Sequence, residues 1–156
     1  MSQNLIDQFL KVLESFNSQK VDYVLIGGFA VIIYGLARLT QDIDIVIKMN
    51  EENILKLKEA LFSVFKDNEI KEIRFDELKN YAVVRYGTPD GFYIDIMARV
   101  GEIANYETID SEIIEYEGVK INIATAKALY ELKKNTVRPE DKKDAFFLKT
   151  FIEKSN

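Results

Sequence analysis

The sequence predicts an α/β (α+β) fold in which a mixed sheet of about five strands is flanked by helices. Segments with strand spacing and segments with helix spacing follow one another along the chain, without internal repeats or a recognisable linker. Hydrophobic residues make up 47% of the composition, which is enough apolar material for a buried core. A length of 156 residues suits one domain, so we expect a single domain spanning residues 1–156.

The chain opens with apolar residues at helical spacing, which predict an amphipathic helix; they are Leu5, Phe9, Val12, Leu13 and Phe16. Residues 22–26 have the pattern of a buried strand that leads into Gly27-Gly28. Residues 29–36 then predict a short buried helix that ends near Gly35.

Residues 42–47 alternate between polar and apolar and then become fully apolar, as is typical of an interior strand. Asn50 can cap a helix that runs from residue 51 to about residue 66. Two further strands are predicted at residues 70–75 and 81–86. The turn residues at 87–91 then predict a hairpin whose return strand covers residues 92–98.

The last third begins with residues 101–117, which contain six acidic and no basic residues and are predicted to be irregular. Such a segment is usually a solvated loop, and it also suits a docking surface for a basic partner. Residues 119–123 predict a short strand, and Thr125 can cap a helix that runs to about residue 134. Pro139 suits the first position of a final helix that ends near residue 153.

The composition excludes several kinds of chemistry. The chain has neither cysteine nor histidine, so disulfides, zinc–thiolate sites and cysteine nucleophiles are ruled out, and any metal must be held by oxygen. The longest apolar stretch, residues 21–36, is too short and too interrupted for a membrane span, and the first residues lack a signal-peptide pattern. The cytoplasm is therefore the expected compartment. A net charge of −5 argues against broad, non-specific binding of nucleic acid.

Asp42 and Asp44 are the sharpest candidates for chemistry. Residues two apart on a strand point to the same face, so the two carboxylates should lie side by side. Adjacent carboxylates on an apolar strand repel each other and resist burial, and a divalent cation such as Mg²⁺ or Mn²⁺ removes that conflict. The alternative is that both carboxylates lie at a solvated strand end.

Two further features strengthen the metal interpretation. Gly27-Gly28 follows a strand and opens a helix, a geometry that lets main-chain N–H groups approach a phosphate, although it also suits an ordinary tight turn. Asp95 is a single charge inside the apolar strand at 92–98, which could instead be an ordinary polar face. The combination of Gly27-Gly28, the pair Asp42 and Asp44, and the later Asp95 is much less expected by chance than any one of these features alone.

These motifs resemble those of the polymerase-β-type nucleotidyltransferase superfamily. Within it, they are most similar to small prokaryotic nucleotidyltransferases that include AbiEii-like toxins of type IV toxin–antitoxin systems. The resemblance is carried by Ile26-Gly27-Gly28-Phe29-Ala30, by Arg38-Leu39-Thr40-Gln41-Asp42-Ile43-Asp44-Ile45, by the later Asp95, and by Lys133/Lys134 with Arg138-Pro139-Glu140-Asp141-Lys142-Lys143-Asp144.

The resemblance implies a metal-dependent transfer of NMP from an NTP to a hydroxyl group. Asp42, Asp44 and Asp95 would be the catalytic residues and would hold Mg²⁺ or Mn²⁺. The nucleotide would be bound by a second set, namely Gly27, Gly28, Arg38, Thr40, Lys133, Lys134 and Arg138. Many members of the superfamily have Gly-Ser where this chain has Gly27-Gly28, and larger members carry an additional helical or RNA-binding domain.

Three classes of acceptor are consistent with the sequence: an RNA end such as that of a tRNA, a protein, and a small molecule. An antitoxin-like protein is a possible partner, for which the acidic segment at 101–117 offers a docking surface. One alternative function is a weakly active or inactive binding module of the same fold that acts with a partner protein. Another is an unrelated α/β domain in which the three aspartates lie apart on the surface.

The C-terminal third is locally basic. Residues 127–149 contain seven basic and four acidic residues, a net charge of +3, which suits either contact with phosphate or a solvated helix face. Asp141 and Asp144 are expected to orient the basic groups or to cap the last helix rather than to bind metal. Most of the three tyrosines of the hairpin region, Tyr81, Tyr86 and Tyr93, are expected to pack in the core or in cross-strand pairs, and one of them could stack on a base.

Overall fold

A computed structural model describes residues 1–102 and 104–155 of the chain. Six α-helices occur in these residues, and they are α1 (Gln3–Ser18), α2 (Gly27–Tyr34), α3 (Glu51–Phe65), α4 (Phe75–Asn80), α5 (Ala126–Lys133) and α6 (Pro139–Ser155). The strands of the same residues are β1 (Tyr23–Ile26), β2 (Asp42–Ile47), β3 (Val84–Gly87), β4 (Tyr93–Met97), β5 (Arg99–Val100), β6 (Ala104–Asn105), β7 (Ser111–Tyr116) and β8 (Val119–Ala124). The predicted α+β fold with a mixed sheet is confirmed, and the sheet has six strands where about five were expected.

The main sheet has the strand order β3-β4-β2-β1-β8-β7, and β5 and β6 form a separate small ribbon. Strand β2 is antiparallel to β1, with Ile26 opposite Asp44, and parallel to β4, with Asp44 opposite Asp95. Strand β3 is antiparallel to β4 and places Arg85 opposite Asp95. The centre of the sheet therefore brings together residues that are far apart in sequence.

The two faces of the central strands differ sharply. Ile43 and Ile45 of β2 and Ile94 and Ile96 of β4 are fully buried and form part of the core. Because strand side chains alternate, the neighbouring Asp42, Asp44 and Asp95 project from the opposite face. One face of the sheet is thus packed, and the other carries the carboxylates.

Helix α1 covers the packed face with the apolar residues that its periodicity predicts. Phe9 and Phe16 are fully buried, and the ring of Phe9 lies 5.0 Å from that of Phe29 and 4.9 Å from that of Phe92. Burying a side chain of this size contributes roughly 2–3 kcal/mol by transfer alone, so α1 is a major part of the core. Among the described residues, no helix combines the length and apolar character that crossing a bilayer requires.

The predicted helix caps are confirmed. The Asn50 side chain accepts a hydrogen bond from the Asn53 N–H at the start of α3, and the Thr125 hydroxyl accepts one from the Ala128 N–H at the start of α5. Each such cap typically stabilises its helix by about 1 kcal/mol. Pro139 is the first residue of α6, as expected.

The prediction of a strand at residues 70–75 is wrong. Asn68–Glu72 forms a 3₁₀ helix, and Phe75 already begins α4. The side chain of Asp67 accepts a hydrogen bond from the Glu69 N–H and so starts the 3₁₀ turn. A 3₁₀ helix has three residues per turn, so Ile70 and Ile73 lie on the same side of it, and both are buried.

The prediction that residues 101–117 are irregular is also wrong in part. Ser111–Tyr116 is the edge strand β7, which pairs antiparallel with β8. The two residues of the connecting turn, Glu117 and Gly118, have φ values of 46° and 84°, as a tight hairpin turn requires. Ile103 of this segment lies outside the described residues.

Candidate active site

Three carboxylates converge at the centre of the sheet. Asp44 on β2 lies directly opposite Asp95 on the parallel strand β4, and Asp42 lies two residues before Asp44 on the same face. One oxygen atom from each carboxylate lies within 4.8 Å of the others. Asp95 is buried, whereas Asp42 and Asp44 are half-buried and open to a cleft. This convergence contradicts the alternative in which the aspartates lie apart on the surface.

Burial and mutual repulsion of the carboxylates both raise pKa values in this cluster. Burial, the negative charges of Asp95 and Asp42, and a hydrogen bond shared with Asp95 together raise the pKa of Asp44 to about 7, against a partial opposing effect of Lys133. Burial and the charge of Asp95 also raise the pKa of Asp42. The site therefore carries more negative charge than its surroundings stabilise, and it favours a cation.

Gly27 is required by the close approach of the chain to Asp44. Its φ is 79°, and a Cβ atom built on it would lie 2.1 Å from the Oδ2 atom of Asp44. Gly28 follows in the first turn of α2, where a Cβ atom would lie 3.0 Å from the guanidinium carbon of Arg38. The two glycines therefore let the N-terminus of α2 lie beside the carboxylates and beside Arg38.

A set of basic side chains, held in place by acidic ones, forms the opposite wall of the cleft. Asp144 is 1% exposed, accepts a hydrogen bond from Arg38 and forms an ion pair with Lys133 at 2.9 Å. The Nζ atom of Lys133 also lies 3.1 Å from Asp141, whose second oxygen accepts a hydrogen bond from Thr136. These contacts confirm, for Lys133, the expectation that Asp141 and Asp144 orient basic groups.

The charge of Asp141 is stabilised by the same network. Burial alone would raise the pKa of Asp141, but the Lys133 ammonium and the hydrogen bonds from Lys133 and Thr136 outweigh it and lower the pKa. Asp141 therefore stays ionised and keeps the lysine in position at neutral pH.

The two walls enclose a cleft of about 350 Å³. Its lining includes Gly27, Gly28, Arg38, Thr40, Asp42, Asp44, Asp95, Lys133 and Arg138. Arg138 is 74% exposed, and its Nε atom forms long ion pairs, at 3.9 Å, with Glu140 and with Asp141. An oxygen-rich acidic wall thus faces a cationic wall across a space large enough for a small ligand.

Sequence comparison identifies the family. A model described as the nucleotidyl transferase AbiEii toxin of type IV toxin–antitoxin systems matches residues 8–149. The chain belongs to the AbiEii nucleotidyltransferase family. No curated protein sequence is significantly similar to it.

Solved structures share the fold of this AbiEii-family chain at low sequence identity. A nucleotidyltransferase-like protein of Paracoccidioides brasiliensis is 16% identical, with a TM-score of 0.61, over 98% of this chain and 78% of that chain. The lincosamide antibiotic adenylyltransferase LnuA, with lincomycin bound, is 16% identical, with a TM-score of 0.61, over 97% of this chain and 98% of that chain. The resistance factor ANT(2″)-Ia, in complex with adenylyl-2″-tobramycin, is 11% identical, with a TM-score of 0.57, over 97% and 90% of the two chains.

Lys134 is the one residue of the expected nucleotide-binding set that lies outside the cleft. Its Nζ atom pairs with Glu131 at 2.6 Å and lies 5.9 Å from the centre of the Tyr130 ring. Consecutive residues of a helix point about 100° apart, so the side chains of Lys133 and Lys134 leave the helix in different directions. The structure therefore separates the two lysines that the motif leaves equivalent.

Arg85 lines the cleft, although the motifs do not point to it. Its Nε atom lies 2.8 Å from Oδ1 of Asp95, and its Nη2 atom lies 3.0 Å from Oδ2 of the same carboxylate. The hairpin offers the signal that would have found it: Arg85 and Asp95 are equally far from the centre of the turn at residue 90, so they pair across the two strands.

The three tyrosines of the hairpin region have different surroundings. Tyr86 is buried, and its hydroxyl donates a hydrogen bond to Asp67 at 2.7 Å, as expected of a core residue. Tyr93 is 38% exposed and carries the guanidinium of Arg85 over its ring. Tyr81 follows α4 and is 62% exposed, so it does not pack in the core.

Proposed function

We propose that this chain is a metal-dependent nucleotidyltransferase that moves NMP from an NTP to a hydroxyl group of an acceptor. The proposal rests on one observation, which is that Asp42, Asp44 and Asp95 meet beside the Gly27-Gly28 turn in a cleft with a cationic opposite wall. Membership of the AbiEii nucleotidyltransferase family supports the same reaction class.

The residues fit a divalent cation of the Mg²⁺ or Mn²⁺ kind. All three donors are carboxylates, the ligands that hard cations prefer, and their oxygens lie close enough to share an ion. The pKa of Asp44, raised to about 7 by burial and by its acidic neighbours, gives a reason for a cation at this point. A divalent ion bound here would neutralise the carboxylates and polarise the phosphate oxygens of the NTP.

The other wall supplies contacts for the triphosphate. The first N–H groups of a helix have no partner within the helix, so those at Gly27 and Gly28 are free for phosphate oxygens. Arg38 and Lys133 contribute fixed positive charge, because Asp144 and Asp141 hold them in place. Arg138 and Thr40 lie on the same cleft and can contact phosphate as well. These groups would orient the α-phosphorus toward the acceptor.

In the proposed reaction, the acceptor hydroxyl oxygen forms a bond to the α-phosphorus while the bond to the leaving pyrophosphate breaks. The hydroxyl proton passes to a carboxylate, and Asp95 is the candidate because the chain has no histidine. Lys133 and Arg138 would stabilise the charge that develops on the pyrophosphate.

Two features of the proposal concern biology rather than chemistry. The family description names a toxin of a toxin–antitoxin system, which supports an antitoxin-like partner for this chain. The structural relative LnuA is a lincosamide antibiotic adenylyltransferase, and ANT(2″)-Ia was solved in complex with adenylyl-2″-tobramycin. A small hydroxylated molecule is therefore a candidate acceptor for this chain, together with an RNA end and a protein. We propose one domain for the whole of this activity.

The test is transfer of label from each α-³²P-labelled NTP, with Mg²⁺ or Mn²⁺, to total RNA, total protein and small molecules from a cell extract. The inactive variant is Asp44→Asn, and the matched control is Asp76→Asn, which removes a carboxylate that is 72% exposed on α4. We expect label only with the unmutated chain and the Asp76→Asn variant. Metal-dependent NTP binding without transfer to any acceptor would favour the binding-module alternative. The absence of both NTP binding and transfer would contradict the proposal.

A further inference from the structure

Arg85 makes a two-point contact with the most buried carboxylate of the acidic site. Its Nε and Nη2 atoms lie 2.8 and 3.0 Å from the two oxygens of Asp95, and Nη2 also lies 3.4 Å from Oδ2 of Asp42. Paired guanidinium and carboxylate groups in this geometry form strong, directional hydrogen bonds. Both oxygens of Asp95 are therefore engaged by a cation that belongs to the chain itself.

This contact lies where a divalent cation would need the same atoms. The oxygens of Asp42, Asp44 and Asp95 that lie within 4.8 Å of one another define the place for an ion. Arg85 contacts two of these three carboxylates and leaves Asp44 without a guanidinium partner. A metal ion and Arg85 consequently compete for Asp95.

Arg85 also has another place to lie. Its side chain is 52% exposed, so it does not depend on Asp95 for burial. The guanidinium carbon lies 4.4 Å from the centre of the Tyr93 ring, and Tyr93 is itself 38% exposed. A cation over an aromatic face is stabilised there, so Arg85 can keep this contact when it gives up the carboxylate.

We propose that Arg85 is a tethered counter-ion of the acidic site: it neutralises Asp95 in the metal-free protein and releases that carboxylate when a divalent cation binds. This inference rests on the metal site of the proposed function. Its consequence is that Arg85 sets the metal concentration at which the site fills. The same side chain offsets the repulsion between Asp95 and Asp42 before the cation arrives.

The test compares Mn²⁺ binding by isothermal titration calorimetry at pH 8 for the unmutated chain, Arg85→Gln and Arg85→Lys. Lysine keeps the charge but loses the two-point contact. We expect the Kd for Mn²⁺ to fall about two- to fivefold in Arg85→Gln, the range that a partly exposed ion pair allows, and by a smaller factor in Arg85→Lys. Arg74→Gln is the matched control, because Arg74 is an exposed arginine paired with Asp76 and Glu77 away from the cleft, and its Kd should not change.

Two further readouts separate release of Asp95 from a simple change in charge. The ¹⁵N-edited NMR signal of the Arg85 Nε–H group, assigned by its loss in Arg85→Lys, should shift when Mg²⁺ is added. In EDTA, Arg85→Gln should have a lower Tm than the unmutated chain, and saturating Mg²⁺ should narrow that difference.

The outcomes are distinct. An unchanged or higher Kd in Arg85→Gln, or an Nε–H signal that Mg²⁺ leaves in place, would overturn the inference while leaving the proposed function intact. Arg85→Lys with the Kd of the unmutated chain would also overturn it, since charge alone would then explain the effect. Failure of the unmutated chain to bind any divalent cation would overturn the metal-dependent function and this inference together.

Discussion

Replacing Gly27 with alanine should damage both the fold and the acidic site. The residue has a φ of 79°, and the new Cβ atom would lie 2.1 Å from Oδ2, 2.8 Å from Cγ and 2.9 Å from Cβ of Asp44. The left-handed conformation costs an alanine about 1–2 kcal/mol. Forcing the Asp44 side chain away adds about 1–3 kcal/mol, as overpacking does elsewhere. We therefore expect the free energy of unfolding to fall by about 2–5 kcal/mol.

Gly118→Ala provides the matched control for this change. Gly118 has a φ of 84°, and a Cβ atom built on it meets nothing within 4 Å, so the substitution carries the conformational cost without the collision. Urea unfolding of both variants gives the two free energies, and their difference isolates the contact with Asp44. Divalent-cation binding should be lost in Gly27→Ala and kept in Gly118→Ala. Equal losses of stability in the two variants, together with unchanged metal binding, would refute the claim that Gly27 makes room for Asp44.

Three other predictions follow from the charges around the cleft. The folded-state pKa of Asp44, about 7, is above its ordinary value of 3.8, so the stability of the metal-free protein should fall as the pH rises from about 4 through 7. The Kd for Mg²⁺ should fall up to about tenfold for each unit by which the pH rises toward 7. Melting and calorimetry at several pH values test both statements, and flat profiles would contradict them. Asp144→Ala should lower the free energy of unfolding by about 3 kcal/mol in urea titrations, because it removes the carboxylate partner of Arg38 and leaves Lys133 paired with Asp141 alone. A loss below about 1 kcal/mol would contradict the role assigned to Asp144. Lys133→Ala should weaken NTP binding about tenfold or more in fluorescence titrations, because it removes a charged hydrogen bond to the nucleotide. Lys134→Ala should leave NTP binding unchanged, because Lys134 lies outside the cleft. Equal effects of the two substitutions would contradict this distinction.

The parts of the site that local sequence rules govern were predictable. The shared face of Asp42 and Asp44 follows from the two-residue period of a strand, and Gly27-Gly28 between a strand and a helix indicates a close approach of the main chain. The caps at Asn50 and Thr125 follow equally from local hydrogen-bonding chemistry.

The parts that depend on distant pairing were not predictable in the same way. Asp95 lies opposite Asp44 because β4 pairs parallel to β2, from which it is separated by about fifty residues. No local sequence pattern specifies this pairing. The burial of Asp144 between Arg38 and Lys133 depends on how α6 docks on α5, and it brings together side chains more than a hundred residues apart. Local patterns can also be ambiguous. The short apolar segment around Ile70 and Ile73 fits a strand and a 3₁₀ turn equally well, so its sequence does not decide between them.

The most direct measurement is an anomalous difference map from crystals grown with Mn²⁺ and a non-hydrolysable NTP analogue. We predict a peak about 2.1 Å from one oxygen each of Asp42, Asp44 and Asp95, with the triphosphate between that peak and the wall formed by Arg38 and Lys133. The peak should disappear in Asp44→Asn. A nucleotide bound elsewhere, or no anomalous peak among the three carboxylates at saturating Mn²⁺, would contradict the assignment of this cleft as a metal and triphosphate site.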